Sequence, residues 1–317
     1  MQLRQELDEI YAAFCGTMPA ELRAAARELP HRLRMAPTPS GRWSEVFGQE
    51  VTFAAPALFS QAMPQISPAK VRDAVLAHAF AIIDAFGTDR IEDRQIQGSP
   101  ELDGILRRVR QASKGALIRV VGNLADEVTN YDRGHRAMLH AIRSERRIMA
   151  DREVVDFDVY ERIAVGKAAM GAPASVALAR AAGWNVAECQ AVAKTLDSIW
   201  LGLQCHDDVI DWEDDLKRDS AWAVRLAMSC RSDEPIGASS AREIVLGSGI
   251  LAALLRRSGR HFRAARKRAD ALGARELATW AGKKEEHAHW LEQEERRNSG
   301  YAVRLHALSP WVAQIPS

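Results

Sequence analysis

Paired cysteines are missing from this chain. Its four cysteines, Cys15, Cys189, Cys205 and Cys230, stand apart with no CxxC spacing. That leaves no zinc signature and fits a reducing compartment. No HExxH occurs among the nine histidines, although His287 and His289 lie close in sequence, so zinc-hydrolase chemistry has no support. Long hydrophobic runs are absent too: no stretch of about 18 apolar residues could span a bilayer. The N-terminus, Met1-Gln2-Leu3-Arg4-Gln5-Glu6-Leu7, is charged and lacks a secretory core. Neither charge sign dominates, and a net charge of +1 argues against general nucleic-acid binding. Strand-like alternation is almost absent. The expectation is a soluble, cytoplasmic protein with no transmembrane segment.

What is abundant is helical periodicity, rich in alanine, leucine, arginine and glutamate. Helices are expected at 2–14, 19–29, 44–63, 69–93, 101–112, 114–149, 157–182, 186–215, 219–230, 239–256, 258–272, 274–296 and 299–308. Proline and glycine punctuate them. Ser67-Pro68 reads as a cap with a first-turn proline, and Gly183 with Asn185 reads as a helix stop and restart. The 317 residues could form one large or two ordinary domains. Short linkers favour one all-α domain over residues 1–317.

One segment concentrates the chemistry. Asp207, Asp208, Asp211, Glu213, Asp214 and Asp215 fall within nine residues, after the apolar run Val192, Leu196, Ile199, Trp200, Leu201 and Leu203. On a continuous helix, Asp207, Asp211 and Asp215 follow at i, i+4 and i+8 in one stripe, with Gln204 at its border. Grouping carboxylates at the end of a buried helix is costly without cations to neutralise them. Magnesium takes hard oxygen ligands and leaves positions for a phosphate. A solvated acidic helix end, capped by Lys217 and Arg218, is the simpler alternative.

The stretch Leu203-Gln204-Cys205-His206-Asp207-Asp208-Val209-Ile210-Asp211 resembles FQxxDDxxD, the second aspartate-rich motif of the trans-prenyl diphosphate synthases, with leucine in place of phenylalanine. These belong to the class I isoprenoid synthases, which include the class I terpene synthases. The segment is also similar in spacing to the terpene cyclase triad (N/D)DxxSxxxE, with Asp207, Asp211 and Asp215 at the ligand positions. A second stretch, Tyr160 to Gly171, is similar to the family's lysine-bearing helix. Lys167 matches its diphosphate-binding lysine, and Ala168 replaces the usual threonine. Lys167 is also the only charge between Ile163 and Arg180 on a core-like helix, where it needs an anion or a path to water. Gly166, Gly171 and Pro173 would weaken that helix.

The first family motif, DDxxD, is degenerate. Aligning His78-Ala79-Phe80-Ala81-Ile82-Ile83 puts Ala85 and Phe86 where two aspartates belong, and only Asp89 holds its place. Two substitutes are open: Asp89 with Asp93 one turn on, or a kink at Gly87 that swings Asp84 round. An exposed ion cluster of Asp93, Arg90 and Arg94 is the plain alternative. Downstream, Arg94 stands alone where chain-elongating members carry an arginine pair. This favours a single-substrate enzyme. Phe80, Phe86, Tyr160 and Trp200 could line a pocket for a cation. Arg133, Arg136, Arg143, Arg146 and Arg147 read mainly as a solvated face.

The resemblance, over about residues 70–225, implies an isoprenoid-synthase fold and a magnesium-dependent class I terpene synthase. It would ionise a farnesyl- or geranylgeranyl-class diphosphate and cyclise or rearrange the cation. Asp207, Asp211 and Asp215 would be catalytic, and Asp89, Asp93, Asp207, Asp208, Asp211 and Asp215 would hold several Mg2+ ions. Lys167, Gln204, Arg218 and Phe86 would bind substrate. The alternatives are a prenyltransferase or prenyl diphosphate synthase that joins the cation to an acceptor, and a non-catalytic subunit. A homodimer is compatible with the resemblance.

Overall fold

A computed structural model describes residues 2–122, 125–228 and 238–312. These residues form sixteen α-helices and no strand. In chain order they are α1 (Gln2–Thr17), α2 (Ala20–Arg27), α3 (Leu29–Arg32), α4 (Trp43–Val46), α5 (Glu50–Ser60), α6 (Pro68–Glu92), α7 (Pro100–Val121) and α8 (Ala125–Asp151). There follow α9 (Phe157–Lys167), α10 (Pro173–Ala181), α11 (Val186–Ile210), α12 (Trp212–Lys217), α13 (Trp222–Met228), α14 (Ala238–Ser248), α15 (Ile250–Ala271) and α16 (Arg275–Val312). No helix among the described residues is long and apolar enough to cross a membrane.

Local chemistry sets the boundaries. Ser67 Oγ accepts from the Lys70 amide ahead of Pro68, and Ser99 Oγ accepts from the Leu102 amide ahead of Pro100. Both serines occupy one orphan donor of a first turn while the proline needs none. Gly183, at φ +81°, ends the chain's α10 turn. Asn185 and Glu188 then exchange side-chain-to-amide hydrogen bonds of 3.0 and 2.7 Å, a capping box that starts α11. Several expected helices are divided, 44–63 between α4 and α5 and 239–256 at Gly249 (φ +70°) among them. The span 114–149 is interrupted at Gly122, whose φ of +67° closes α7. The span 157–182 breaks into α9, a 3-10 turn over Ala168–Gly171, and α10. The span 186–215 breaks at Asp211. Conversely, 274–296 and 299–308 are one helix, α16.

The chain comprises two compact units. The first holds residues 1–143, 166–197 and 268–278; the second holds 144–165, 198–267 and 279–317. In the first unit α6 is the central helix and packs against α5, α7 and α10. Gly87 makes the closest approach there: a Cβ on it would lie 2.5 Å from Leu106 Cδ2. The unit contains an apolar cavity of about 480 Å3 lined by Leu7, Ile10, Met63, Val71, Leu76 and Phe80. The second unit is built on a core of Ile148, Tyr160, Cys205, Trp212, Trp222 and Leu254. Gly202 lets the Phe262 ring pack directly on α11, 2.9 Å from where a Cβ would stand.

Candidate functional site

The acidic segment lies in the second unit, where α11 gives way to α12. The backbone of Asp211 leaves the helical region (φ −100°, ψ 4°). Its amide still bonds to the Asp207 carbonyl at 2.9 Å, and the Asp215 amide bonds to the Asp211 carbonyl at 2.9 Å. The expected single stripe is therefore two short helical turns joined at Asp211. The break carries Trp212 into the core while Ile210 stays exposed. Asp207, Asp211 and Asp214 are exposed, and Asp215 is half-buried.

Asp208 departs from this group. It is buried, and both of its oxygens are taken: Tyr160 Oη donates to Oδ2 at 2.5 Å and Gln204 Nε2 donates to Oδ1 at 2.9 Å. Burial pushes its carboxyl up to about 7, against those two hydrogen bonds and with the negative charges of Glu145 and Asp207 adding to the rise. Asp208, expected among the metal ligands, is thus turned inward onto Tyr160 and Gln204, and Gln204, expected at the substrate, donates to Asp208. Tyr160, expected at a pocket wall, is the other partner of Asp208. It is buried, and its ring meets Trp222 edge-on at 5.2 Å.

Glu145, which no sequence motif marks, joins the same electrostatic neighbourhood from α8. Trp222 Nε1 donates to its Oε1 at 2.6 Å. Burial pushes the Asp215 carboxyl up to about 6. Arg218 opposes the shift, and the charges of Asp211, Asp207 and Glu145 reinforce it. Arg218 Nη1 stands 3.5 Å from Asp215, and Lys217 Nζ stands 2.6 Å from Asp214. Arg242 Nη2 pairs with Glu213 at 2.8 Å in the same unit. Carboxylates a turn apart, all hard oxygen donors, fit a small divalent cation. Asp207, Asp211 and Asp215 recur one turn apart, with Arg218 beside Asp215.

The first-motif region belongs to the first unit and looks different. α6 runs through Gly87 without a kink, so Asp84 is not swung round. Instead Asp84 is fully buried and gripped by Arg110, with Nε donating to Oδ2 at 2.7 Å and Nη2 to Oδ1 at 2.9 Å. His135 Nε2 lies 3.5 Å from the same carboxylate. Asp89 pairs with Lys167, whose Nζ is 3.1 Å from Oδ1. Asp93 caps α6, its amide bonding to the Asp89 carbonyl at 2.8 Å, so the two acids do sit one turn apart. Phe86 is half-buried with its ring 6.2 Å from that of Phe47, and Phe80 lines the apolar cavity. Arg133, Arg136, Arg143 and Arg147 are exposed.

Arginine supply also differs from expectation. A surface groove of about 470 Å3 in the first unit is lined by Arg34, Ile91, Arg94, Gln95, Gln97 and Gly98. Arg34 and Arg94 each follow the end of a helix and each take a left-handed backbone, φ 55°. The lone arginine of the sequence motif thus has a companion 60 residues earlier in the chain.

No protein-family model matches the chain, and no curated protein matches it. Solved structures do. The polyprenyl synthetase from Streptomyces coelicolor A3(2) is similar with a TM-score of 0.71 at 13% identity, over 90% of this chain and 98% of that one. The geranylgeranyl pyrophosphate synthetase from the archaeon Geoglobus acetivorans is similar at 0.70 and 15% identity, over 90% and 96%. The polyprenyl synthase from Caulobacter crescentus CB15, solved with calcium and isoprenyl diphosphate, is similar at 0.64 and 16% identity, over 88% and 94%. The chain has the all-α fold of these synthases.

Proposed function

We propose that this protein is a prenyltransferase that ionises an allylic prenyl diphosphate and joins the cation to an acceptor carrying its own phosphate. The observation that carries the proposal is the acidic set Asp207, Asp211 and Asp215, one turn apart, on the fold of the polyprenyl synthases. Those three residues would hold divalent cations, Mg2+ being the expected ion. When bound, the cations supply charge neutralisation to the departing diphosphate. The Arg218 guanidinium, beside Asp215, offers a charge-assisted hydrogen bond to the same anion. The resemblance assigns Lys167 to diphosphate binding. Asp208, anchored by Tyr160 and Gln204, fixes the end of α11 and so the spacing of Asp207 and Asp211. The apolar cavity, with Phe80 in its wall, is of the size small-molecule sites use, about 300–1,000 Å3, and offers room to a hydrocarbon chain.

The acceptor assignment rests on the groove lined by Arg34 and Arg94, the residue type whose guanidinium suits a phosphate. A second reading, the single-substrate terpene synthase, is favoured by Ala85 and Phe86 in place of the first two motif aspartates. The two readings separate in one assay. Purified protein with Mg2+ and farnesyl or geranylgeranyl diphosphate is run with and without isopentenyl diphosphate, and products and diphosphate are both measured. Product only when the acceptor is present supports prenyl transfer. A hydrocarbon or alcohol released without it overturns prenyl transfer in favour of cyclisation. No diphosphate release at any chain length leaves a non-catalytic subunit. Asp211→Ala should abolish turnover while helicity is retained.

A further inference from the structure

Arg225 is a buried cation in the second unit. It lies on α13 and is only 6% exposed. Trp222, Val224 and Leu226, around it on that helix, belong to the apolar core of the unit. A guanidinium carries five N–H donors in a planar fork, has no acceptor and stays charged in proteins. Burying it is costly unless oxygens receive those donors. No oxygen of the described residues does so. Nε is enclosed without a hydrogen-bond partner, and Nη1 reaches only Met228 Sδ, a weak acceptor, at 3.9 Å.

The charged groups around Arg225 leave this fork unfilled. Burial, and then the charge of Arg152, push its pKa down against the pull of Asp219. Asp219 attracts the guanidinium without forming an ion pair with it. Arg152 follows the end of α8 and Asp219 follows α12, and both residues are exposed. Among the described residues no ion pair holds either of them. In the acidic segment Asp214 pairs with Lys217, Asp215 with Arg218 and Glu213 with Arg242, not with Arg225.

We propose that Arg225 anchors a binding site for a small carboxylate ligand, with Arg152 at the exposed edge of that site. A guanidinium fork and a carboxylate are both planar and meet through two parallel hydrogen bonds. Such a ligand would occupy the enclosed Nε donor and a terminal nitrogen together. The apolar surroundings decide which anion enters. Desolvating an ion costs more the higher its charge, so a monoanionic carboxylate passes into this core where a phosphate dianion is resisted. Arg152 offers an approaching anion a first, exposed cation. Arg225 is no part of the set Asp207, Asp211, Asp215 and Arg218, and its ligand is independent of the chemistry proposed there.

The test uses the full-length protein in buffer free of carboxylate and phosphate, with ionic strength held constant by chloride. Sodium acetate is the probe and sodium phosphate the comparison. Thermal unfolding reads stability, and magnetisation transfer from the protein to the acetate methyl reads contact. Arg225→Met replaces the charge with an apolar chain. Without acetate it should be at least as stable as wild type, because an uncompensated buried charge is gone. Acetate should raise the wild-type Tm, and both that rise and the transfer signal should be lost in Arg225→Met. Any response to phosphate should be the same in the two proteins. Arg152→Ala should keep the fold and weaken acetate binding by about threefold. An Arg225→Met protein less stable than wild type without acetate overturns the proposal, because the charge is then already compensated within the chain. Equal acetate responses in the two proteins overturn it as well, and a phosphate response lost with Arg225 overturns the choice of carboxylate. Should Arg225→Met fail to fold, Arg225→Lys keeps the charge without the fork: weaker acetate transfer supports the site, and unchanged transfer overturns it.

Discussion

Arg34 and Arg94 show what a residue's surroundings add to its identity. A lone arginine after the first motif argues for a single substrate, whereas two arginines on one groove argue for a second anion. Charge-assisted hydrogen bonds of this kind are worth about 1.5–3 kcal/mol each, or roughly 10- to 100-fold in affinity. Arg34→Ala and Arg94→Ala should therefore each raise KM for isopentenyl diphosphate by about that factor while KM for the allylic diphosphate stays within twofold. Equal effects on both substrates in steady-state assays would refute the acceptor assignment. His78 makes a different prediction. It is wholly buried on α6 with Nε2 3.3 Å from the Val51 carbonyl, and burial lowers its pKa to about 4. Above pH 6.5 the imidazole is neutral in folded and unfolded chains alike, and it adds no pH dependence. As pH falls below 6.5, only the unfolded chain takes the proton, so stability is lost until about pH 4, by roughly 3 kcal/mol in all. Urea midpoints measured from pH 7 to pH 4 should fall accordingly. His78→Gln should remove that component of the slope, and an unchanged slope would contradict it. Which acids face a site is likewise a residue-level fact. Asp207 and Asp208 are equal in sequence, but Tyr160 and Gln204 remove Asp208 from the acidic face. The partners come from 48 and 4 residues away, and no motif specifies the longer of those contacts.

At the level of elements, caps and glycines were the legible features. Ser67-Pro68, Ser99-Pro100 and Gly183-Asn185 stand at helix boundaries because each carries its own stop or start chemistry. The division at Asp211 was not legible. No proline or glycine marks it, and it arises because burying Trp212 in the core of the second unit outweighs helix continuity. The joining of 274–296 and 299–308 into α16 was hidden for the opposite reason: the break expected at 297–298 does not occur. Gly87 also misleads by sequence, since it reads as a hinge while its role is close packing of α6 on α7. Two glycine substitutions test this kind of contact. In Gly87→Ala the new methyl meets the tips of the buried Leu106 side chain, which can shift by rotamer. In Gly166→Ala it meets the Cβ of Ala141, which moves only with the backbone of α8. Overpacking costs about 1–3 kcal/mol, so Gly166→Ala should fall at the upper end and Gly87→Ala at the lower. Chemical denaturation that ranks them in the reverse order would show that α8 yields more readily than Leu106.

For the molecule as a whole, charge is balanced in total but not in place. The net charge is +1, while five aspartates and a glutamate crowd the segment from Asp207 to Asp215. Burial pushes the Asp215 carboxyl up to about 6, and the charges of Asp211, Asp207 and Glu145 add to the rise. The folded chain therefore bears a local electrostatic cost that the unfolded chain, with these groups in water, does not. Any ligand that relieves the cost binds the folded state selectively, and its binding energy adds to global stability. Free Mg2+ should do this modestly by neutralising carboxylates. Inorganic diphosphate alone should do little, because Arg218 and Lys217 are already paired with Asp215 and Asp214 and the anion also meets their carboxylates. Together they complement each other, the cation bridging carboxylate and phosphate oxygens. At a ligand concentration of about 100 times Kd, linkage adds roughly 2.7 kcal/mol. For a chain of this size that corresponds to a rise in Tm of about 4 °C. Thermal unfolding should thus show a gain with Mg2+ and diphosphate that exceeds the sum of the separate gains. Asp211→Asn should abolish the excess, and Arg218→Ala should reduce it. Because prenyl transfer and cyclisation both begin with diphosphate held through metal, the synergy is expected on either chemistry. Its absence, with all four conditions melting together, would remove the diphosphate from this protein's function altogether.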